Sequence, residues 1–269
     1  MSVTGWSRVE IKKAEELSGD AWAQGYFHSS HDHWDGKTWV RNFHELMMRD
    51  LLLLALGDVT GKKILEIGCG QGIYLDLIAK MGGEVSGQDI CAEYVNKALM
   101  NLRSKEYDAD IQVGDAQKLL FRDHSFDGVF TADFFEHITR EEKHAVVAEV
   151  FRVLKPGGVF VIKTPNLDYL KISLMLKRLA AVLRFKSPLN IHIAHTHNNP
   201  DNQHCGLTTY GELEEILLYH FFHPPTITYI PLMRKRLPVG IRKLLYGKKT
   251  FCEQILVTTR KPLFLGFYP

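Results

Sequence analysis

From residue 62 onward, short apolar runs alternate with segments of helical period, and this alternation limits the chain to one class of architecture. "KKILEIG" reads as a first strand, "IYLDLIAKM" as a helix halted by Gly82-Gly83, and "EVSGQD" as a second strand. The series continues with a helix through "EYVNKALMNLRS", strands in "ADIQVG" and "FDGVFTAD", and a helix "REEKHAVVAEVFRVL". A turn, "KPGG", then leads into a fifth strand, "VFVIKT", ended by Pro165. Strands separated by helices cross over rather than form hairpins, so the expectation is an α/β fold around a parallel sheet. With 269 residues, 45% of them hydrophobic, the chain is long enough to bury such a core in one domain with a small appendage.

After the fifth strand the rhythm changes. An apolar-basic segment, "LDYLKISLMLKRLAAVLRF", precedes a histidine-rich one, "KSPLNIHIAHTHNNPDNQHCGLT", and together they read as an insertion over residues 167–208 on the substrate side. Packing against the core is the expected fate of the first segment; a lid, a dimer contact or a helix lying on a membrane surface are the alternatives. A helix, "TYGELEEILLYHF", and two β-like stretches, "TITYIPL" and "FCEQILVTTR", close the chain, separated by the basic segment "MRKRLPVGIRKLLYGKK". Residues 1–60 read as a helical cap ahead of a domain over 61–269, with Tyr26, Phe27, Trp34 and Trp39 available to cover a ligand.

A net charge of +2 names no nucleic-acid partner, and aromatic residues interleave too thinly with the basic segment to favour RNA. The four cysteines form no C-x-x-C pair, which argues against a zinc ribbon or a disulfide framework. The N-terminal residues have no apolar signal region and no apolar run is long enough to span a bilayer, so a cytoplasmic protein is expected.

"ILEIGCGQG" places Glu66, Gly68, Gly70 and Gly72 where the first strand turns into its helix, and glycine there lets the backbone turn sharply and approach a ligand. The dinucleotide fingerprint G-x-G-x-x-G would need a glycine where Ile73 stands, which counts against NAD. Glu66 would repel a pyrophosphate and attract an ammonium or sulfonium. Asp89 at the end of the second strand can accept from ribose hydroxyls, and Asp115 after the third can accept from an adenine amino group. Three carboxylates at successive strand ends outline an adenosine that carries a positive charge.

"LEIGCGQG", Asp89 after "VSGQ", "GDAQKLLFRDHSFDGVF", "EHI" and "VLKPGGVFVIKTPN" occur in the order seen in the class I S-adenosylmethionine-dependent methyltransferases, which this chain resembles over roughly residues 60–165. The resemblance implies a Rossmann-like, seven-stranded, mostly parallel sheet of order 3-2-1-4-5-7-6, with the last strand antiparallel and helices on both faces. It implies methionine contacts near Glu66 and Gly68, ribose contact by Asp89 and adenine contacts by Asp115 and Ala116. Cys69, Gly70, Gly72, Ile90 and Asp133 complete the expected cofactor-binding set. The expected activity is methyl transfer to oxygen of a small molecule or of a sugar- or lipid-linked intermediate. An RNA ribose 2′-O-methyltransferase and a catalytically silent binding protein of the same fold are the alternatives.

"TADFFEHITREE" raises a further question, because Asp133, Glu136 and His137 stand at i, i+3 and i+4, a spacing that brings side chains to one helix face. In one reading Asp133 touches the cofactor while Glu136 and His137 pack the following helix. In the other the three bind a divalent cation, Mg²⁺ or Mn²⁺, or zinc or iron. The segment resembles an acidic-x-x-Glu-His metal cluster in the ubiquinone-biosynthesis O-methyltransferases and the small-RNA 3′-terminal ribose methyltransferases. The latter branch adds a histidine shortly before a Thr that opens the next helix, which corresponds here to His204 before Thr209. The expected metal ligands are thus Asp133, Glu136, His137 and His204, and the candidate catalytic histidines are His137, His204 and His197, with His192 and His195 close by in sequence. The ubiquinone branch also carries an insertion after strand five and acts on a lipid-tailed phenol, which adds peripheral membrane contact to the partners considered beside a small-molecule methyl acceptor.

Overall fold

Ile64, Phe130 and Val161 face one way and Leu65, Val129, Phe160 and Ile162 the other, so the central strands are apolar on both faces. A sheet of that kind is stable only when helices cover both sides. The computed structural model, which describes residues 49–189, 191–193, 204–231 and 252–264, has that arrangement. Its strands are β1 (Lys63–Ile67), β2 (Glu84–Asp89), β3 (Ala109–Val113), β4 (Phe126–Ala132), β5 (Leu154–Pro165), β6 (Thr226–Pro231) and β7 (Cys252–Arg260). They form one seven-stranded sheet of order β3-β2-β1-β4-β5-β7-β6. β1 to β5 pair in parallel, and β7 runs antiparallel to both β5 and β6. This is the topology that the resemblance implied.

The helices are α1 (Ile73–Lys80), α2 (Ala92–Arg103), α3 (Arg140–Val153), α4 (Leu167–Leu183) and α5 (Tyr210–Tyr219), preceded by a helical segment over 49–56. Leu52, Leu75, Ile78, Val95, Ala98 and Leu102 join one core with the Ile64 face, and Val146, Val147, Val150, Leu213, Ile216 and Leu217 join a second with the Leu65 face. Thr139 and Thr209 start α3 and α5 with capping boxes, each closed by a glutamate at the third helical position, Glu142 and Glu212. Both helices therefore begin at defined residues on the ligand-facing edge of the sheet.

Two elements differ from the sequence-based expectation. The KPGG turn is absorbed into β5: Phe126 pairs with Leu154 but Gly128 with Val159, so residues 155–158 bulge from the ladder, with Gly157 at φ +78°. The apolar-basic segment forms α4, but it does not pack into the core as expected. Only Tyr169 and Ala181 are buried, while Met175, Leu176, Leu179, Val182 and Leu183 stay exposed. No described helix is long and apolar enough to cross a membrane. The aromatic N-terminal segment and the basic segment at 233–249 lie outside the described residues.

Candidate active site

The parallel register brings the carboxyl ends of β1, β2 and β4 side by side, with Glu66 opposite Gly87 on one neighbour and Phe130 on the other. A site at this edge follows from the direction of the strands. Gly68, Gly70 and Gly72 all take positive φ, at 70°, 49° and 75°, so the loop coils tightly into α1. At Gly68 there is a second constraint, because a Cβ would lie 2.7 Å from the Phe134 ring. The Gly70 amide donates to Asp89 Oδ2 at 2.8 Å and the Cys91 amide to Asp89 Oδ1 at 2.8 Å. One carboxylate thus ties the first loop to the second and keeps lone pairs for further donors.

Glu66 lies behind the loop, 3% exposed, and its Oε2 has no hydrogen-bond partner. Burial, and after it the negative charge of Asp89, pushes its pKa well above the usual carboxyl value. A buried carboxylate left this way is costly unless a cation or N–H donor completes it. Neighbouring Cys69 is likewise buried, and burial first, then the charges of Glu66 and Asp89, keep its thiol protonated. It packs into the core behind the loop and is no nucleophile. Asp115 accepts from the Gln117 amide at 2.9 Å, and its backbone carbonyl accepts from Gln88 Nε2 at 2.8 Å. Gln88, which sequence reasoning passed over, also accepts from the Leu120 amide at 3.0 Å, so β2 holds the loop that carries Asp115 and Ala116. Ile90 is exposed beside Asp89.

Beyond β4 the expected helix face is absent. Asp133 takes φ +53°, and Phe135–His137 is a single 3₁₀ turn, so Asp133, Glu136 and His137 do not share a helix. Consecutive residues of β5 point to opposite faces of the sheet, and they hold the acids apart. Lys163 Nζ donates to the Asp133 carboxylate, while Thr164 Oγ1 donates to Glu136 Oε2 at 3.1 Å. Burial works against the Lys163 ammonium, but Asp133, then Tyr74 and Glu136, hold its pKa above the usual lysine value. Burial, followed by the Asp133 charge, raises the pKa of Glu136 to about 7.

Glu136, His137 and His204 do converge, with one ligand atom from each lying within 4.8 Å of the others. The two imidazoles meet edge to face with centroids 4.9 Å apart. Asp133, expected as an oxygen ligand, is outside this group because Lys163 has engaged it on the other side of β5. Two nitrogens and one oxygen are a donor set that suits Mn²⁺, zinc or iron better than Mg²⁺. His192 is described but does not belong to the group, and His195 and His197 lie outside the described residues. Sequence reasoning missed Lys163, Thr164 and Lys143; a lysine within the otherwise apolar "VFVIKT" was the one signal available for the first.

Residues 65–162 match the family described as "Methyltransferase domain". A probable S-adenosylmethionine-dependent methyltransferase from Mycolicibacterium smegmatis is 38% identical over 106 residues, 39% of this chain and 39% of that protein. A ubiquinone biosynthesis O-methyltransferase from Psychrobacter cryohalolentis is 28% identical over 167 residues, 58% of this chain and 63% of that protein. These matches span from about two fifths to just under two thirds of the relatives' own length. Among solved structures, a geranyl diphosphate C-methyltransferase from Streptomyces coelicolor superposes with a TM-score of 0.59 at 16% identity, covering 95% of this chain and 99% of that one. At that identity the likeness is one of fold.

Proposed function

We propose that the chain, whose residues 65–162 match the methyltransferase domain family, binds S-adenosylmethionine and transfers its methyl group to an oxygen of a small-molecule acceptor. The observation that carries this reading is the buried Glu66 carboxylate at the glycine loop, whose Oε2 has no hydrogen-bond partner and which lies close enough to Asp89 to feel its charge. A cationic ligand satisfies that pair, and a pyrophosphate does not. Glu66 takes the positively charged methionine end, Asp89 the ribose hydroxyls and the loop after β3 the adenine.

Glu136, His137 and His204 form the acceptor side. Their buried carboxylate and paired imidazoles can hold a hydroxyl and take its proton. When bound there, a divalent cation supplies Lewis-acid assistance to loss of that proton. The exposed apolar stripe of α4, with Lys171, Lys177 and Arg178 on the same helix and Arg184 capping its end, supports an acceptor that carries a lipid tail and is met at a membrane surface.

Calorimetry with S-adenosylmethionine, S-adenosylhomocysteine and NADH tests the first part. The two adenosyl ligands bind; binding of NADH without them overturns the reading. For the acceptor side, exhaustive chelation with EDTA abolishes transfer and leaves S-adenosylhomocysteine affinity intact. Full activity after chelation rejects the cation and leaves an imidazole as the base.

A further inference from the structure

His137 follows β4 directly, whereas His204 arrives at the far end of the histidine-rich insertion, so their contact needs a cause outside the local chain. The returning segment is fastened to the 3₁₀ turn at consecutive residues. The Gly206 amide donates to the Glu136 carbonyl at 2.9 Å, and Cys205 Sγ donates to the His137 carbonyl at 3.1 Å. The Gly206 carbonyl accepts from Lys143 Nζ. The approach is so close that a Cβ on Gly206 would fall 1.7 Å from the Ile138 carbonyl oxygen, a position no other residue tolerates. Two residues on, Thr208 bridges Asn166 and its carbonyl accepts from the Leu167 amide at 3.3 Å.

Lys143 is the unexpected member. It lies in the first turns of α3, 3% exposed, on a helix whose other inward residues are Val146, Val147, Val150 and Val153. Packing alone would be served by another aliphatic side chain, and a buried ammonium is costly without a partner. Its partner is the carbonyl that fixes the returning segment. We propose that Lys143 and Gly206 are positioning residues for the acceptor side: they staple the insertion's return to the 3₁₀ turn and hold His204 against His137. This rests on the reading of Glu136, His137 and His204 as the acceptor-activating group.

The test uses the full chain with Lys143→Met, and Gly206→Ala as an independent second variant. Three quantities are read: the nuclear Overhauser contact between the His137 and His204 ring protons, the affinity for Mn²⁺ alone by electron paramagnetic resonance, and S-adenosylhomocysteine affinity by calorimetry. Both variants are expected to lose the ring-proton contact. Mn²⁺ affinity falls about 10–100-fold, the range seen when residues that orient metal ligands are removed. S-adenosylhomocysteine affinity stays within about twofold because Lys143 and Gly206 bond to each other and to the 3₁₀ turn rather than to Glu66, the glycine loop or Asp89. An intact ring-proton contact in both variants overturns the proposal. Loss of S-adenosylhomocysteine affinity in both also overturns it, since the two residues would then support the fold at large. If the unaltered chain binds no Mn²⁺, the cation reading fails by itself and the ring-proton contact still decides the staple.

Discussion

The half proposed to hold the cofactor and the half proposed to hold the acceptor share one edge of the sheet but are assembled by different means. Glu66, the glycine loop and Asp89 meet because adjacent parallel strands end side by side, and one carboxylate ties the two loops together. Glu136, His137 and His204 meet only because a 3₁₀ turn receives a segment returning from a long excursion. The first half rests on sheet register, which every central strand reinforces. The second half depends on a few contacts that must offset the entropy of closing a long loop. This difference predicts that the halves can be damaged separately, and that the acceptor half is the more easily deformed.

The largest expected effect is on the acceptor side. Glu136→Gln keeps an acceptor for Thr164 but removes the charge, and transfer should fall by about 10²–10⁴-fold, the usual contribution of proton-transfer catalysis. S-adenosylhomocysteine affinity measured on the same sample should not change; an equal loss of both would erase the distinction between the halves. Next comes Asp89→Ala, which removes an acceptor for ribose and unties the Gly70 and Cys91 amides. Calorimetry should find binding of S-adenosylmethionine and S-adenosylhomocysteine weakened by about 1.5–3 kcal/mol, the range for hydrogen bonds to a charged group. Unchanged affinity would remove Asp89 from the site.

A third effect is pH-dependent and belongs to the cofactor half alone. The pKa of Glu66 is raised by burial and by Asp89, so the ligand-free protein retains a proton there at pH values where an ordinary glutamate, near 4.5, has lost it. A cationic ligand favours the ionised form, so binding releases that proton, and affinity should rise with pH below the raised pKa of the ligand-free carboxyl and level off once that carboxyl ionises. The limiting slope is about tenfold per pH unit. Calorimetry in buffers of different ionisation enthalpy reads the released proton, and Glu66→Gln should abolish both the release and the slope. The smallest effect compares two caps. Thr139→Ala and Thr209→Ala each remove a capping-box hydroxyl and should cost about 0.5–2 kcal/mol in urea unfolding. Thr209→Ala should additionally lower transfer, since Thr209 follows the stapled segment; equal activity in the two variants would weaken the idea that the acceptor half is the deformable one.

Most of the framework of the proposed cofactor half was legible in the sequence. The strand-helix alternation, the glycines at positive φ and the acids at strand ends all follow from short-range rules, period and turn geometry, that act within a few residues. The argument against a dinucleotide likewise rested on two nearby residues, Ile73 and Glu66. The acceptor half was legible only as a set of names. Spacing suggested a shared helix face for Asp133, Glu136 and His137, but a left-handed Asp133 and a 3₁₀ turn replaced it.

The amino-acid sequence by itself determined the alternation of strands and helices and the parallel core of the sheet, because these depend on which residues are apolar and where the chain can turn; the strand order came from the resemblance. Tertiary structure alone decided which acid joins the histidines, since Lys163 and Thr164 point to opposite faces of β5 and take Asp133 and Glu136 in different directions. It also decided that α4 leaves its apolar stripe exposed, and that His204 reaches His137 through Gly206 and Lys143. Such outcomes depend on distances between residues far apart in the chain, and no local pattern encodes those distances.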